Sequence, residues 1–102
     1  MLAVIFEVEM KPGQGDNYFE LAAGLRPELE KIDGFISVER FKSLATPGKY
    51  VSLSFWRDEE AVTQWKSHTK HQSAQEQGKH SIFSIYRIRV ATIIRDYGMD
   101  GE

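Results

Sequence analysis

Leu2, Val4, Phe6, Val8 and Met10 alternate with Ala3, Ile5, Glu7 and Glu9 at the head of the chain. A period of two of this kind predicts a strand over residues 2–10 with one wholly apolar face. Lys11 to Gly15 is a turn by composition, and Asp16 is a candidate cap for a helix that aligns Tyr18, Leu21, Ala22, Leu25, Leu29 and Ile32 on one side. Pro27 falls inside that pattern; lacking an N–H, a proline costs about 3 kcal/mol in a helix interior, so a kink or restart is expected around Gly24-Leu25-Arg26-Pro27. Gly34 closes the segment. Phe35 to Lys42 alternates again, Phe35, Ser37, Glu39 and Phe41 against Ile36, Val38, Arg40 and Lys42, with neither side cleanly apolar. That reads as a strand partly exposed on both faces.

Leu44 to Gly48 is a short turn, and Tyr50 to Trp56 resumes the alternation, which predicts an antiparallel hairpin. Asp58, followed by Glu59 and Glu60, then marks a helix start: a carboxylate can accept from the orphan N–H groups and suits the positive end of the helix dipole. Ala61, Val62, Trp65, His68, Thr69 and Gln72 fall at helical spacing, and a break or loose last turn is expected before Gly78. Ser84 to Asp96 predicts a long last strand with Tyr86, Ile88, Val90, Thr92 and Ile94 on one face and Arg87, Arg89, Ala91, Ile93 and Arg95 on the other. The order strand, helix, strand, strand, helix, strand is that of an α+β ferredoxin-like βαββαβ sandwich, a four-stranded antiparallel sheet with two helices on one face. A single domain is expected over residues 1–98, with 99–102 as a frayed tail. Since the strands carry apolar residues on both faces, the second sheet face is expected to be covered by another copy, in a homodimer.

Composition narrows the function classes. With 102 residues the chain suffices for one core, and 41% hydrophobic and 27% charged residues describe a folded globule. The net charge of -2 argues against a partner bound through nucleic-acid phosphates. There is no cysteine, so disulfides and thiolate chemistry are excluded, in keeping with a cytoplasmic setting. No apolar run of about 18 residues exists for a membrane span, and Glu7 and Glu9 interrupt the apolar head too early for a signal peptide.

Candidate chemistry concentrates between Phe55 and His80, which holds both tryptophans and all three histidines. His68 lies one turn beyond Trp65 on an unbroken helix, and His71 is rotated about 60° further around. A break after Ser67 exchanges their roles. An imidazole titrates near working pH and suits a general base, while Trp65 and, from the last strand, Tyr86 can wall a flat ring. Each competes with a plainer reading, as a solvated helix histidine or a core aromatic. Arg87, Arg89 and Arg95 are read as partners of Glu7, Glu9 or Glu39 rather than as an anion site. His68, His71 and His80 lack a carboxylate at ligand spacing, so no metal site is expected.

From Phe55 to Gly98 the chain runs through a strand ending in Trp56, the acidic cap, Ala61-Val62, Trp65, nearby histidines, Ala74-Gln75, Gly78 and a final strand. In this order of features it resembles the antibiotic biosynthesis monooxygenase family, whose members are dimeric α/β barrels of ferredoxin-like domains. The resemblance implies a cofactor-independent monooxygenase that oxidises a phenolic, quinol-like or polyketide-like aromatic with molecular oxygen. It also singles out His71, six residues after Trp65, as the catalytic candidate; His68 competes on helical spacing alone, and Trp65 and Tyr86 are the substrate-binding candidates read from the aromatic pattern. The family's haem-degrading branch uses a first-strand Asn and a His nine or ten residues after the Trp; residues 2–10 hold no Asn, and Ala74 and Gln75 stand at that spacing. Haem binding is therefore the alternative, and a non-catalytic dimeric ligand-binding module is the other.

Overall fold

A computed structural model describes residues 1–68, 72–73, 76 and 82–99. Six elements follow one another: β1 (Leu2–Met10), α1 (Gly15–Glu30), β2 (Phe35–Lys42), β3 (Lys49–Trp56), α2 (Glu59–Lys66) and β4 (Phe83–Thr92). The strands form one four-stranded sheet in the order β2-β3-β1-β4, every neighbouring pair antiparallel. This is the ferredoxin-like arrangement that the alternation of elements predicts. Both helices lie over the same sheet face, since Leu21, Ala22 and Leu25 of α1 and Val62 and Trp65 of α2 surround one hollow with Val4 and Phe6 of β1.

The register aligns side chains into rows that cross the helix-side face. One row runs Val38, Ser54, Val4, Val90, and the next runs Arg40, Ser52, Phe6, Ile88. Two packed clusters close the ends of the helix–sheet layer. At one end Val8, Tyr18, Ile82 and Phe83 are buried together, flanked by Met10 and Tyr50. At the other, Leu29, Trp56 and Ala61 pack with Ile32, Phe35 and Trp65. Trp56 is 1% exposed, and its Nε1–H donates to Ser54 Oγ at 2.9 Å, so the indole is buried without an orphan donor. Gly34, at φ +96°, lets α2 come close: a Cβ there would meet the Ala61 Cβ at 2.8 Å.

Several expectations are corrected. The helix α1 is continuous through Pro27. Pro27 and Ala23 both face outward, so the carbonyl that loses its i+4 donor can bond water instead. The cap is Gln14 rather than Asp16, because the first helical bond already runs from Tyr18 N–H to Gln14 O (3.0 Å); Asp16 serves in the first turn. In β2 the register shifts between Phe35 and Ser37, and the extra residue puts Phe35 on the helix side against Trp56 (ring centroids 5.3 Å apart). A second shift, between Glu9 and Met10 of β1, lets both Phe83 and Tyr86 face the helices, with Ser84 Oγ donating to Glu9 O at 3.0 Å. The strand β4 stops at Thr92 rather than Asp96, because Thr92 is the residue paired with Leu2 and only Ile93 N–H reaches further, to Met1 O (3.0 Å).

Asp58 does cap α2 as its sequence context predicts: its Oδ1 accepts from Ala61 N–H at 3.0 Å, and that bond, with Arg57 beside it, holds the carboxyl below its usual range. Arg57 in turn joins the loop before α2 to the turn before β2, donating its backbone N–H to Gly34 O (2.7 Å) and its guanidinium to Asp33 (3.2 Å). The first stretch of α2 ends at Lys66, with Ser67 as its C-cap. Among the described residues no helix is long and apolar enough to cross a membrane.

Candidate active site

A cavity of about 390 Å³ lies between the helix-side face of the sheet and the two helices. It exists because β3 places Ser52 and Ser54 at the centre of that face, where their small side chains leave unfilled the space that a Leu or Phe would occupy. One wall is aromatic: Phe6 and Phe83 meet edge-on at 5.7 Å, and Tyr86 lies 6.0 Å from Phe6 and 6.1 Å from Phe83. Trp65 and Val62 of α2 form the wall nearer the other cluster, and Leu25 and Leu29 of α1 complete the roof. Among the described residues α1 and α2 leave β4 uncovered: Tyr86, Ile88 and Val90 all line the hollow yet are 39–54% exposed, so it opens along this edge strand.

Trp65 and Tyr86, both expected at the site, thus line one cavity. His68 is not among its lining residues. With α2 interrupted after Lys66, the His68 imidazole lies 5.4 Å from the Trp65 ring and points its Nε2 to Glu28 Oε2 of α1 at 3.5 Å. The other catalytic candidate, His71, lies outside the described residues, as does His80. Arg89 is on the opposite face of the sheet, where it pairs with Glu7; Arg95 lies beyond β4.

The polar groups of the cavity were not evident as a site in the sequence. Arg40 lines it from β2, with its guanidinium charge close to the Tyr18 hydroxyl. Burial pushes the Tyr18 phenol above its ordinary value, against the pull of the Arg40 charge, so Tyr18 holds its proton. The Arg40 Nε is buried with no hydrogen-bond acceptor among the described residues. Lys66 lines the same hollow from the end of α2, and no carboxylate does so among the described residues. The sequence signal for this was faint: a lone Arg alternating with Val38, and two Ser where β3 crosses under the helices. Only the register shows that Arg40 and Ser52 share a row with Phe6. Among the described residues there is no group of three His, Asp or Glu side chains able to hold a metal.

Comparison with known proteins agrees with this architecture. Residues 1–77 match the model of a family described as antibiotic biosynthesis monooxygenase. A Pyricularia oryzae protein named jasmonate monooxygenase ABM is 47% identical over 91% of the chain, which spans only 43% of that relative's length. The uncharacterised protein YqjZ of Bacillus subtilis is 31% identical over 91% of the chain and 79% of its own. Among solved structures, Rv0793 of Mycobacterium tuberculosis superimposes with a TM-score of 0.83 at 15% identity, covering 95% of this chain and 98% of that one. At that identity the likeness speaks for the fold.

Proposed function

The chain belongs to the antibiotic biosynthesis monooxygenase family, and from that premise we propose that it is a small monooxygenase acting without a resident cofactor. Its substrate on this reading is a flat, largely apolar ring compound of phenolic, quinol-like or polyketide-like type, oxidised by molecular oxygen. The observation that carries the proposal is the hollow of about 390 Å³ walled by Trp65 on one side and Phe6, Phe83 and Tyr86 on the other. Its size is that of a small-molecule site, about 300–1,000 Å³.

In such a reaction the activated ring gives up a proton and its carbanion passes an electron to oxygen. One oxygen atom ends on the ring carbon, the other leaves as water, and the substrate supplies the electrons. Apolar walls exclude water, and fixed donors stabilise the developing anion. The proton-accepting role expected of His71 or His68 belongs to this proposal; His68 would reach the cavity only by leaving Glu28.

Haem is the competing occupant. Its iron needs an axial donor, and the described cavity wall offers no imidazole, so no step is drawn through it. A second copy of the chain over the bare sheet face is part of the same proposal. That face carries Ile5, Val51, Leu53 and Phe55 at its centre and exposed Phe41 and Ile85 beside them, an apolar surface suited to a self-complementary interface.

The test is oxygen uptake by metal-stripped protein with hydroquinones, naphthols and jasmonate, alongside a haem titration of the same sample. Protein-dependent uptake that falls in Trp65→Ala supports the oxygenase. A saturable Soret band without uptake moves the reading to haem, and silence in both leaves a ligand-binding module.

A further inference from the structure

The cavity is largely apolar, but Arg40 of β2 puts a cation into its wall. A guanidinium offers five N–H donors and no acceptor. Arg40 brings its charge beside the Tyr18 hydroxyl, and its Nε–H is buried without an acceptor among the described residues. A cation in a poorly hydrated wall is costly without a counter-ion, and an anionic ligand in the cavity supplies one. By contrast, Lys49 and Arg89 share Glu7, and Arg57 lies between Asp33 and Asp58. Among the described residues Arg40 has no carboxylate partner and no Asp or Glu lines the cavity, whereas Lys66 adds a second positive charge to the wall.

We propose that Arg40 and Tyr18 form an anchor for a carboxylate, so that the ligand of this cavity is an apolar ring acid whose charged end sits against β2 and whose ring lies between Trp65 and the Phe6–Tyr86 wall. Resting on the monooxygenase reading, the inference adds the class and orientation of the substrate. The guanidinium accommodates the two carboxylate oxygens through parallel N–H donors, and the protonated Tyr18 contributes an O–H to one of them. Ser52 shares a row with Arg40 and Phe6, so the acid group and the ring occupy adjoining parts of one continuous floor. The open side along β4 admits the ring without requiring the charge to cross the packed clusters.

Binding can be read without turnover from tryptophan fluorescence, using paired probes that differ only in charge: cyclohexanecarboxylate and its amide, phenylacetate and phenylacetamide, 2-naphthoate and 2-naphthamide. The wild-type protein is expected to prefer the acid of at least one pair by about tenfold or more, the scale of a hydrogen bond to a charged group. Arg40→Met should abolish that preference while the amide's affinity is kept, and Tyr18→Phe should reduce it. Equal affinities within every pair in the wild-type protein, including no binding of any probe, overturn the inference even if the variants fail to fold. So does an Arg40→Met protein that folds and keeps the preference. Oxygen uptake measured on the same probes and on neutral hydroquinones separates the two claims. An Arg40-dependent acid preference with no uptake from any compound refutes the oxygenase alone, and uptake from neutral rings with no acid preference refutes the anchor alone.

Discussion

The two faces of the sheet fill their centres in opposite ways. Beneath the helices, where a core is expected to be densest, the middle of the sheet presents Ser52 and Ser54 and a hollow. On the bare side, with no described element over it, the middle presents Ile5, Val51 and Leu53. Charge follows the same inversion: the bare face holds Glu7 between two cations, whereas among the described residues the covered face holds Arg40 with no carboxylate. Cover by helices is therefore not the same thing as packing. The covered face has room for a small molecule, and the bare face keeps its largest apolar side chains at the surface.

Residues of β3 that alternate between the two faces give the largest test of that contrast. Trp56 points into the packed cluster with Leu29 and Ala61, and Phe55 points to the other face. Trp56→Ala is expected to lower unfolding stability by about 3–5 kcal/mol, the usual cost of removing a buried large aromatic, read as a drop in the denaturant midpoint. The hydroxyl of Ser54 would lose its donor as well. Leu53→Glu acts on the bare face instead. Its expected effect is on association: a charge at the centre of the proposed interface should halve the mass measured by sedimentation while leaving the monomer folded. An unchanged dimer, or a wild-type protein that is already monomeric, would remove the second copy from this face.

Filling the hollow is a smaller change with a sharper readout. Ser52→Leu puts a branched apolar side chain into space that is empty, and should raise stability by about 1 kcal/mol while abolishing binding of ring probes. A loss of stability would mean that the added side chain clashes with the cavity walls instead of filling the space between them.

Much of this arrangement could be read from the sequence, and the parts that could not share a cause. The one-sided apolar pattern of Leu2 to Met10, the Asp58 cap and the facing of Trp65 and Tyr86 all depend on local periodicity, which a single chain displays. The bulges at Ile36 and Ser84 do not, because one extra residue reverses which side follows and leaves no mark in composition; this is why Phe35 read as a residue of the mixed face. Pro27 misled because its cost depends on whether the freed carbonyl meets water, a question of burial. Arg40 and Ser52 became site residues only through cross-strand register, and His68 found Glu28 only through the packing of α1 against α2. Pairings between distant segments carry the site, while the pattern within segments carries the fold.

The smallest effect expected belongs to Glu7, and its value is that it carries a sign. Hydrogen bonding to Lys49, with Arg89 adding its charge, holds the Glu7 carboxyl below its ordinary value of 4.5. A group whose folded pKa is depressed stabilises the fold above its unfolded pKa and loses that contribution as pH falls through the folded value. Wild-type stability should therefore decline from about pH 4.5 downward partly through this residue, and Glu7→Gln should flatten that limb while leaving stability at neutral pH little changed, since the pair is partly exposed and screened. Added salt should shrink the difference between the two proteins. If Glu7→Gln instead destabilised the protein strongly at neutral pH and in high salt, the bare-face cluster would be acting as a buried network. The contrast with the unpaired Arg40 would then rest on burial rather than on the presence of a carboxylate.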